Sequence, residues 1–568
     1  MTGDRVNRQI KLKWLVAGLS AAVFAWASVN AAQRGSENTT PAADAAAVTP
    51  QLFRLTEAQY RASIADIFGA DIRVAGRFEP DLRVDGLLAV GGSTISVTRG
   101  GFEQYEAIAR TIADQVTDPA HRGTLVGCGP SAVDPDGRAC AKTFFERVGL
   151  RLYRRPLGPS EIALAMKNWD DARQQLGGDF YVATSAALSG LLSGMEFIFR
   201  IENTTADPAR PGARTLDAWS RASRISYLLW NSTPDEELLA AAKSGALMTD
   251  AGLAAQVDRL MASPRFINGA RAFFDDYLRF DDLNTVSKDG TIYPRYRAAV
   301  TGDAREQTLR TIVDLLIVKR GDFRDLLTTR QVAMNGMLSP LYKIPVDQKG
   351  WAMHEFGPNE PRAGILTQIA FLAGHSHPGR SSATLRGKAI REILMCDPIP
   401  APPANVNFTV VQDVNNPKLL TARARVQAHL DDEECASCHK RMDPMGLALE
   451  NYDGAGQYRT SENGVPIDAT GELDGVKFDG AVQLGQALRN NPKVSACLVE
   501  TALRYSFGRR LTAMDDGMLA RLKTQFSTDG YHVPDLIRAI VLSPTYYAVT
   551  PAVKRPRRLA QLAAGAKG

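Results

Sequence analysis

Cysteine is scarce in this chain, with six residues among 568, and neither sign of charge dominates. The 67 Lys and Arg residues nearly balance the 62 Asp and Glu residues, which leaves a net charge of +5. Part of that charge lies at the N-terminus and in the basic run Lys554–Arg558. The remainder gives no basic surface that could neutralise a phosphate backbone, so we expect no nucleic-acid partner.

Long apolar runs are also missing after the N-terminus. No second stretch approaches the ~18 apolar residues of a membrane-spanning helix, so no further membrane span is predicted. The sequence has no G-x-G-x-x-G ahead of a predicted helix and no plausible Ser, His and Asp set. Those patterns are typical of dinucleotide-binding enzymes and of serine hydrolases.

Residues 1–31 have the composition of a secretory signal peptide. An apolar region of about fifteen residues, Trp14–Ser28, precedes the small residues of Val29–Ala31. The basic residues ahead of it are Arg5, Arg8, Lys11 and Lys13. The pattern predicts Sec export to the periplasm, with a membrane anchor as the alternative if the segment is not cleaved. Residues 32–49, rich in Ala, Thr, Ser and Asp, are predicted to be a flexible spacer.

The segment Cys435–His439 has the pattern C-x-x-C-H, the attachment motif of c-type haem. The thiols of Cys435 and Cys438 would add to the two haem vinyl groups, and His439 would be the proximal iron ligand. Because the spacing fits one helical turn, we expect all three side chains beside one porphyrin edge. A redox dithiol and a zinc site are the alternatives. No βαβ pattern surrounds the motif and no second C-x-x-C or H-x-x-x-H lies nearby, so we predict one covalent haem c.

The motif does not fix the second axial ligand of the iron. His429, six residues before Cys435, could fold over the opposite face of the porphyrin and is the first candidate. Met442 and Met445 are alternatives, although both follow His439 closely and are expected on its own side. Met514 and His532 are candidates from further along the chain, and an open position is the remaining possibility. Two protein ligands suit an electron carrier, whereas an open position suits a haem enzyme.

The other four cysteines form an even set, which in an exported protein indicates disulfides. Cys128 and Cys140 flank a loop rich in Gly, Pro and Asp, so a local bridge between them is predicted. Cys396 and Cys497 would then form a second bridge between a Pro-rich linker and the C-terminal region. Two buried free thiols are the alternative for that second pair.

Apolar residues at helical spacing run through most of the chain, so we predict a mainly α, multi-domain fold with little β structure. Thr56 and Ser160 are expected to cap helices, and residues 178–200 to form one long apolar helix. A small β-hairpin is expected within residues 460–480. The predicted organisation is a signal peptide at 1–31, a spacer at 32–49, helical domains at 50–120, 121–205 and 215–345, a cytochrome c-like haem domain at 350–460, a C-terminal helical domain at 461–548 and a basic tail at 549–568.

A longer sequence pattern includes the motif, and shorter ones lie elsewhere in the chain. The segment Cys435–Gly456 reads C-A-S-C-H-x-x-M-D-P-x-G-x-x-L-E-x-Y-D-x-x-G. Shorter patterns occur at Arg54–Thr56, Tyr153–Leu157 and Ser226–Asn231. With these patterns the chain resembles the multi-domain exported proteins that carry a planctomycete-type cytochrome c domain among several domains of unknown function.

The resemblance covers about residues 50–548. It implies haem binding and electron transfer, and it places a histidine at the position of His429, but it implies no defined reaction. The sequence departs from the family at His375–Thr384 and near Met514, and no role is carried over at those positions.

Two classes of function follow. The first is an exported monohaem electron-transfer protein, whose haem domain exchanges electrons with a partner oxidoreductase while the helical body docks that partner or binds a substrate. The second is a self-contained haem enzyme of peroxidase or oxygenase type, with an open iron site and a substrate site between domains. The missing enzyme patterns and the single haem motif favour the carrier. A structural protein with a vestigial haem is a weaker third class.

Overall fold

The computed structural model describes residues 51–345, 350–401, 413–414, 416–430 and 433–549. At 429 and 433–435 it describes the backbone only. The predicted signal peptide and spacer, and the basic tail after Val549, lie outside the described residues.

The N-terminal part of the described chain is a group of helices closed by a two-stranded antiparallel sheet. The first helix begins as predicted, because the Thr56 hydroxyl accepts the Gln59 N–H at 3.2 Å and the Gln59 side chain accepts the Thr56 N–H at 3.2 Å. Strand Gln51–Arg54 pairs with strand Phe199–Glu202, with Phe53 opposite Arg200. The helices are Glu57–Phe68, Leu88–Gly91, Arg99–Thr117, Arg122–Leu125, Arg138–Tyr153, Pro159–Gln175, Phe180–Leu192 and Met195–Ile198.

These helices bury their apolar faces in one cluster, which includes Tyr60, Phe144 and Trp169. The predicted domains 50–120 and 121–205 both contribute side chains to it. Burial of large aromatic side chains contributes on the order of 2–3 kcal/mol each to stability.

The apolar segment 178–200 differs from its prediction as one helix. The helix ends at Leu192, a single turn covers Met195–Ile198, and a strand begins at Phe199. A tertiary contact overrides the helical pattern, because the strand that begins at Phe199 pairs with the N-terminal strand about 150 residues earlier in the chain.

A second cluster of buried side chains runs from Leu216 to Tyr547 and is shared by the central and C-terminal helices. Helix Ala298–Ile312 continues as a π-helix at Val313–Val318, and helix Ala383–Ala389 continues as one at Ile390–Leu394. The other α-helices are Ala218–Trp230, Glu236–Lys243, Asp250–Ala262, Phe266–Tyr277, Ser339–Tyr342, Ile369–Gly374, Ala422–His429, Glu433–Leu447, Gly480–Asn490, Pro492–Phe507, Asp516–Thr528, Val533–Leu542 and Pro544–Tyr547. Short 3₁₀ helices cover Ala246–Met248, Phe280–Thr285, Phe323–Leu327, Ile365–Thr367 and Ala513–Asp515.

The β structure is small and antiparallel, so the predicted mainly α fold is confirmed. Within the described ranges each sheet has two or three strands. Residues 460–480 form two β-hairpins, whereas the sequence predicted one. The remaining strands are Thr204–Ala206, Arg214–Leu216 and Ala548–Val549 in one sheet, Gln331–Met334 with Ala352–Glu355, Ser461–Glu462 with Val465–Pro466, and Thr470–Leu473 with Val476–Asp479.

A buried ion pair joins the two clusters. Glu202, at the end of the N-terminal sheet, binds Arg224 of helix Ala218–Trp230, and their side chains are 1% and 5% exposed. Arg224 also donates to the backbone carbonyl of Tyr546. Because a buried charge is costly without a partner, this arrangement ties three distant parts of the chain together.

Candidate functional site

The C-x-x-C-H motif lies in the first two turns of helix Glu433–Leu447, which we call the motif helix. Residues three and four apart share one helix face, so Cys435, Cys438 and His439 are on the same side of it. Cys438 is half-buried and forms no disulfide. The side chain of Cys435 is outside the described residues. The segment is therefore helical, as its spacing predicted.

The imidazole of His439 is held by a buried carboxylate. Its Nδ1 lies 2.7 Å from Oδ2 of Asp443, one helical turn further on, and the two side chains are 14% and 3% exposed. The other carboxylate oxygen accepts the hydroxyl of Thr384 at 2.9 Å. A carboxylate can only accept, so Nδ1 carries the proton and Nε2 is the atom suited to ligate a metal.

Asp443 and Thr384 were not assigned a role from the sequence. The available signal was the spacing of Asp443 four residues after His439, which puts both side chains on one helix face. Thr384 has no such signal, because it is on a different helix and 59 residues away in sequence.

A close helix crossing fixes the motif helix against helix Ala383–Ala389. A Cβ atom at Gly446 would lie 1.7 Å from the carbonyl oxygen of Ala383, and one at Gly387 would lie 1.9 Å from that of Met442. Both distances are far below van der Waals contact, so the two backbones approach this closely only because both positions are glycine. The crossing brings Thr384 to Asp443.

A buried arginine holds the turns that follow the motif helix. Arg386 is 0% exposed and donates to the backbone carbonyls of Leu449, Tyr452 and Asp453 at 2.7–2.8 Å. The carboxylate of Glu450 lies 3.7 Å away. Burial lowers the pKa of Arg386 to about 10, which leaves the guanidinium charged at neutral pH. Arg386 thus fixes the C-terminal end of the motif helix to the crossing helix.

The three candidates for the second axial ligand that are nearest to the motif in sequence lie in different surroundings. Met442 is 5% exposed, and Met445 is 0% exposed within the second hydrophobic cluster. His429 is the last residue of helix Ala422–His429, and its side chain lies outside the described residues. The choice among these ligands stays a prediction.

Both predicted disulfides are present, which confirms the pairings. Cys128 is bonded to Cys140, and Cys396 is bonded to Cys497. The second bridge lies close to the motif helix, since Asp397 pairs with Arg441 of that helix. It therefore joins the region of the motif to helix Pro492–Phe507.

A large cavity among the described residues lies away from the motif helix. It has a volume of about 980 Å³ and is lined by the first helix, by helices of the central region and by the end of helix Pro492–Phe507. No residue of the motif helix lines it. Within the described ranges no three His, Cys, Asp or Glu side chains are grouped as a metal site, and no helix is long and apolar enough to cross a membrane.

Four family models match the chain, and each is described as a protein of unknown function. DUF1587 matches residues 54–118, DUF1592 matches 216–344, DUF1588 matches 362–462 and DUF1585 matches 474–546. No curated protein and no solved structure matches it. The segment that holds the C-x-x-C-H motif is the DUF1588 match, whose model carries the short name PSCyt3. The chain is therefore a tandem assembly of four such domains, with the predicted haem motif in the third.

Proposed function

We propose that this chain is an exported monohaem c-type cytochrome that passes single electrons to or from a partner oxidoreductase. Cys435 and Cys438 hold the haem c through thioether bonds, and His439 is the proximal iron ligand. The hydrogen bond between His439 Nδ1 and Asp443 carries the proposal, because metal-ligating histidines are held in this way by their other ring nitrogen. The C-x-x-C-H spacing on one helix supports it.

Bound haem c supplies an iron centre that alternates between the ferric and ferrous states. Asp443 holds the proton on Nδ1 of His439 and fixes the plane of the ring, and Thr384 fixes the carboxylate. The buried negative charge makes the imidazole a stronger donor. A stronger donor favours the ferric state, so Asp443 lowers the reduction potential.

Export and the redox partner belong to the same proposal. The two disulfides support an oxidising compartment, where such bonds persist. The partner protein docks at the outer edge of the motif helix, where Ser437 and Lys440 are exposed. The charge of Lys440 suits an acidic patch on that partner, which would raise the association rate at low salt.

A haem enzyme of peroxidase or oxygenase type is the second candidate. The observation that favours it is the same buried carboxylate on His439, because a strongly donating proximal ligand favours cleavage of an oxygen–oxygen bond. The two candidates differ in the second axial position, which is filled by a protein ligand in a carrier and open in an enzyme.

Carbon monoxide distinguishes the two candidates. For a carrier with His429 as second ligand, the visible spectrum of the reduced protein does not change when carbon monoxide is added. His429→Ala should then allow carbon monoxide to bind, whereas Met442→Leu and Met445→Leu should behave like the unmodified protein. Carbon monoxide binding by the unmodified protein would support the enzyme, and a protein without covalent haem would overturn both candidates.

A further inference from the structure

The cavity of about 980 Å³ is a cleft between three parts of the chain. One wall is the first helix with the strand residues Phe53 and Arg200, the second is formed by helices of the DUF1592 region, and the third by Tyr505, Ser506 and Gly508. Its volume is in the range of sites that enclose a small organic molecule. Nothing in the proposed haem site contributes to it.

Most charged side chains in the cleft already have a partner. Three of these pairs are Arg265 with Asp66, Arg305 with Asp275, and Arg271 with Glu306. Because each of these charges is neutralised within the protein, they give a polar wall without a strong preference for an ion of either sign.

Arg200 differs from these three arginines because it makes no hydrogen bond to a carboxylate within the described residues. Its side chain is 12% exposed, and its guanidinium lies over the ring of Phe53 at 4.4 Å from the centroid. The nearest carboxylate is that of Glu202, at 3.5 Å from Nε. Glu202 is already bound by Arg224, which donates to both of its oxygens. Arg224 and Arg200 therefore share one carboxylate, and Arg200 is the one of the two that lines the cleft.

The guanidinium of Arg200 also has unused hydrogen-bonding capacity. Its Nε is buried without a hydrogen bond, and the terminal nitrogens make none to any residue in the described ranges. Burial lowers the pKa of Arg200, and the carboxylate of Glu202 opposes this shift. A largely enclosed guanidinium with free hydrogen-bonding capacity is a site for one carboxylate, bound through two parallel hydrogen bonds.

Uncharged polar groups accompany Arg200 along the cleft. Tyr505 is close enough for the charge of Arg200 to act on its phenol, whose pKa is raised by burial, so the hydroxyl stays protonated. The amides of Asn231, Asn268 and Asn284 line the same cleft. Phenol and amide groups both donate and accept hydrogen bonds, as ligand hydroxyl groups do.

We propose that this cleft binds a small polyhydroxylated carboxylate of the sugar-acid class. Its single carboxylate is bound by Arg200, and its hydroxyl groups are bound by Tyr505 and the asparagine amides. One carboxylate is specified because Arg200 is the arginine of the cleft lining whose guanidinium makes no hydrogen bond within the described residues. The proposal does not depend on haem, so it can fail while the cytochrome proposal holds.

The test is calorimetric titration of the full-length exported protein with D-glucuronate, D-glucuronamide and D-glucose. Glucuronate should bind at least tenfold more tightly than the uncharged amide and the neutral sugar. Arg200→Gln should remove this preference, and Tyr505→Phe should weaken glucuronate binding while keeping the preference. Arg110→Gln, an exposed arginine on helix Arg99–Thr117 outside the cleft, should bind like the unmodified protein.

Equal affinity for glucuronate and glucuronamide would overturn the proposal, and so would an absence of saturable glucuronate binding. The comparison of acid and amide uses the unmodified protein, so the result stands even if Arg200→Gln does not fold. Retained preference for the acid in a folded Arg200→Gln protein would contradict the assignment of Arg200.

Discussion

At His439, the proposed proximal ligand, three side chains form a chain of hydrogen bonds from Thr384 through Asp443 to His439. Each member has a separate effect on the imidazole. Asp443 supplies the negative charge and the acceptor for Nδ1, and Thr384 stabilises that carboxylate by donating to its other oxygen. The charge and the geometry can therefore be altered independently.

Asp443→Asn keeps the shape and an acceptor oxygen but removes the charge. The imidazole then becomes a weaker donor, so the reduction potential should rise by ~60 mV, which corresponds to a tenfold change in preference for the ferric state. Thr384→Val leaves the charge without its hydroxyl partner and should shift the potential slightly downward. Potentiometric titration of the haem spectrum measures both shifts. An unchanged potential in Asp443→Asn would contradict the role given to this carboxylate.

His375 is a second residue whose surroundings set its behaviour. It packs against Phe371, with ring centroids 4.8 Å apart, and burial is the main reason that its pKa is lowered to about 4. The cations Arg279, Arg386 and Lys288 lower it further. His375 is therefore neutral in the folded protein at pH values where it takes up a proton in the unfolded chain.

This difference makes stability depend on pH. The unfolded pKa is about 6.5 and the folded pKa about 4, so the unfolded chain binds more protons between these values. Stability is fully present above about pH 6.5 and falls as the pH decreases toward 4, by at most about 3 kcal/mol from this residue. His375→Gln should reduce the loss of stability between pH 7 and pH 5, measured by urea unfolding. Equal losses in the two proteins would contradict the burial argument.

Among contacts between secondary-structure elements, the crossing of the motif helix with helix Ala383–Ala389 does most to fix the position of the site. It depends on two glycines, because each carbonyl oxygen of the facing helix occupies the place of a Cβ atom. Neither backbone can move away easily, since Arg386 ties the crossing helix to the turns after the motif helix.

Gly446→Ala should destabilise the protein by about 1–3 kcal/mol or more, because a methyl group would displace one helix from the other. Gly302→Ala is the matched control, since Gly302 lies in helix Ala298–Ile312 with no atom within 4 Å of the added methyl group. That change should be neutral or stabilise by up to about 1 kcal/mol. Chemical unfolding of both variants measures the difference. Equal stability of the two variants would show that the crossing tolerates a side chain.

Helix ends show what local sequence can and cannot predict. Thr56 was predicted as a cap because a hydroxyl residue precedes the apolar helical pattern, which is a local feature. The structure confirms the cap and adds Gln59, which completes a capping box. The expected cap at Ser160 is wrong. The helix begins at Pro159, since proline suits the first helical position and the N–H of Gly158 is satisfied by Glu161.

The same distinction applies to the site and to the whole chain. Both disulfides could be predicted from an even number of cysteines, and the structure confirms them. The haem motif is recognised by its short spacing, and haem attachment stays a prediction. The contacts of Asp443 and Arg200 could not be predicted from the sequence, because they depend on the tertiary fold. Thr384 is 59 positions from Asp443, and Phe53 is 147 positions from Arg200. Periodicity predicts which face of a helix is buried but not what packs against it.

At the scale of the whole molecule, the two disulfides differ in the length of chain that they close. Cys128 and Cys140 are separated by 12 positions, and Cys396 and Cys497 by 101. In the loop-entropy estimate, loss of the first bridge destabilises by about 3 kcal/mol and loss of the second by about 4.7 kcal/mol. Double Cys→Ala variants of each pair, compared by chemical unfolding, measure the order. A larger loss for the short loop would show that native packing, and not chain entropy, sets the contribution.

The covalent attachment of haem to Cys435 and Cys438 is the central claim, and peptide mapping tests it most directly. The protein is produced by export in cells that mature c-type cytochromes, digested, and analysed by mass spectrometry. The account predicts that the peptide spanning residues 433–440 carries one haem on two thioether bonds, and that Cys435→Ala with Cys438→Ala removes it. Recovery of that peptide without haem, with both thiols free to alkylate or joined in a disulfide, would contradict the account.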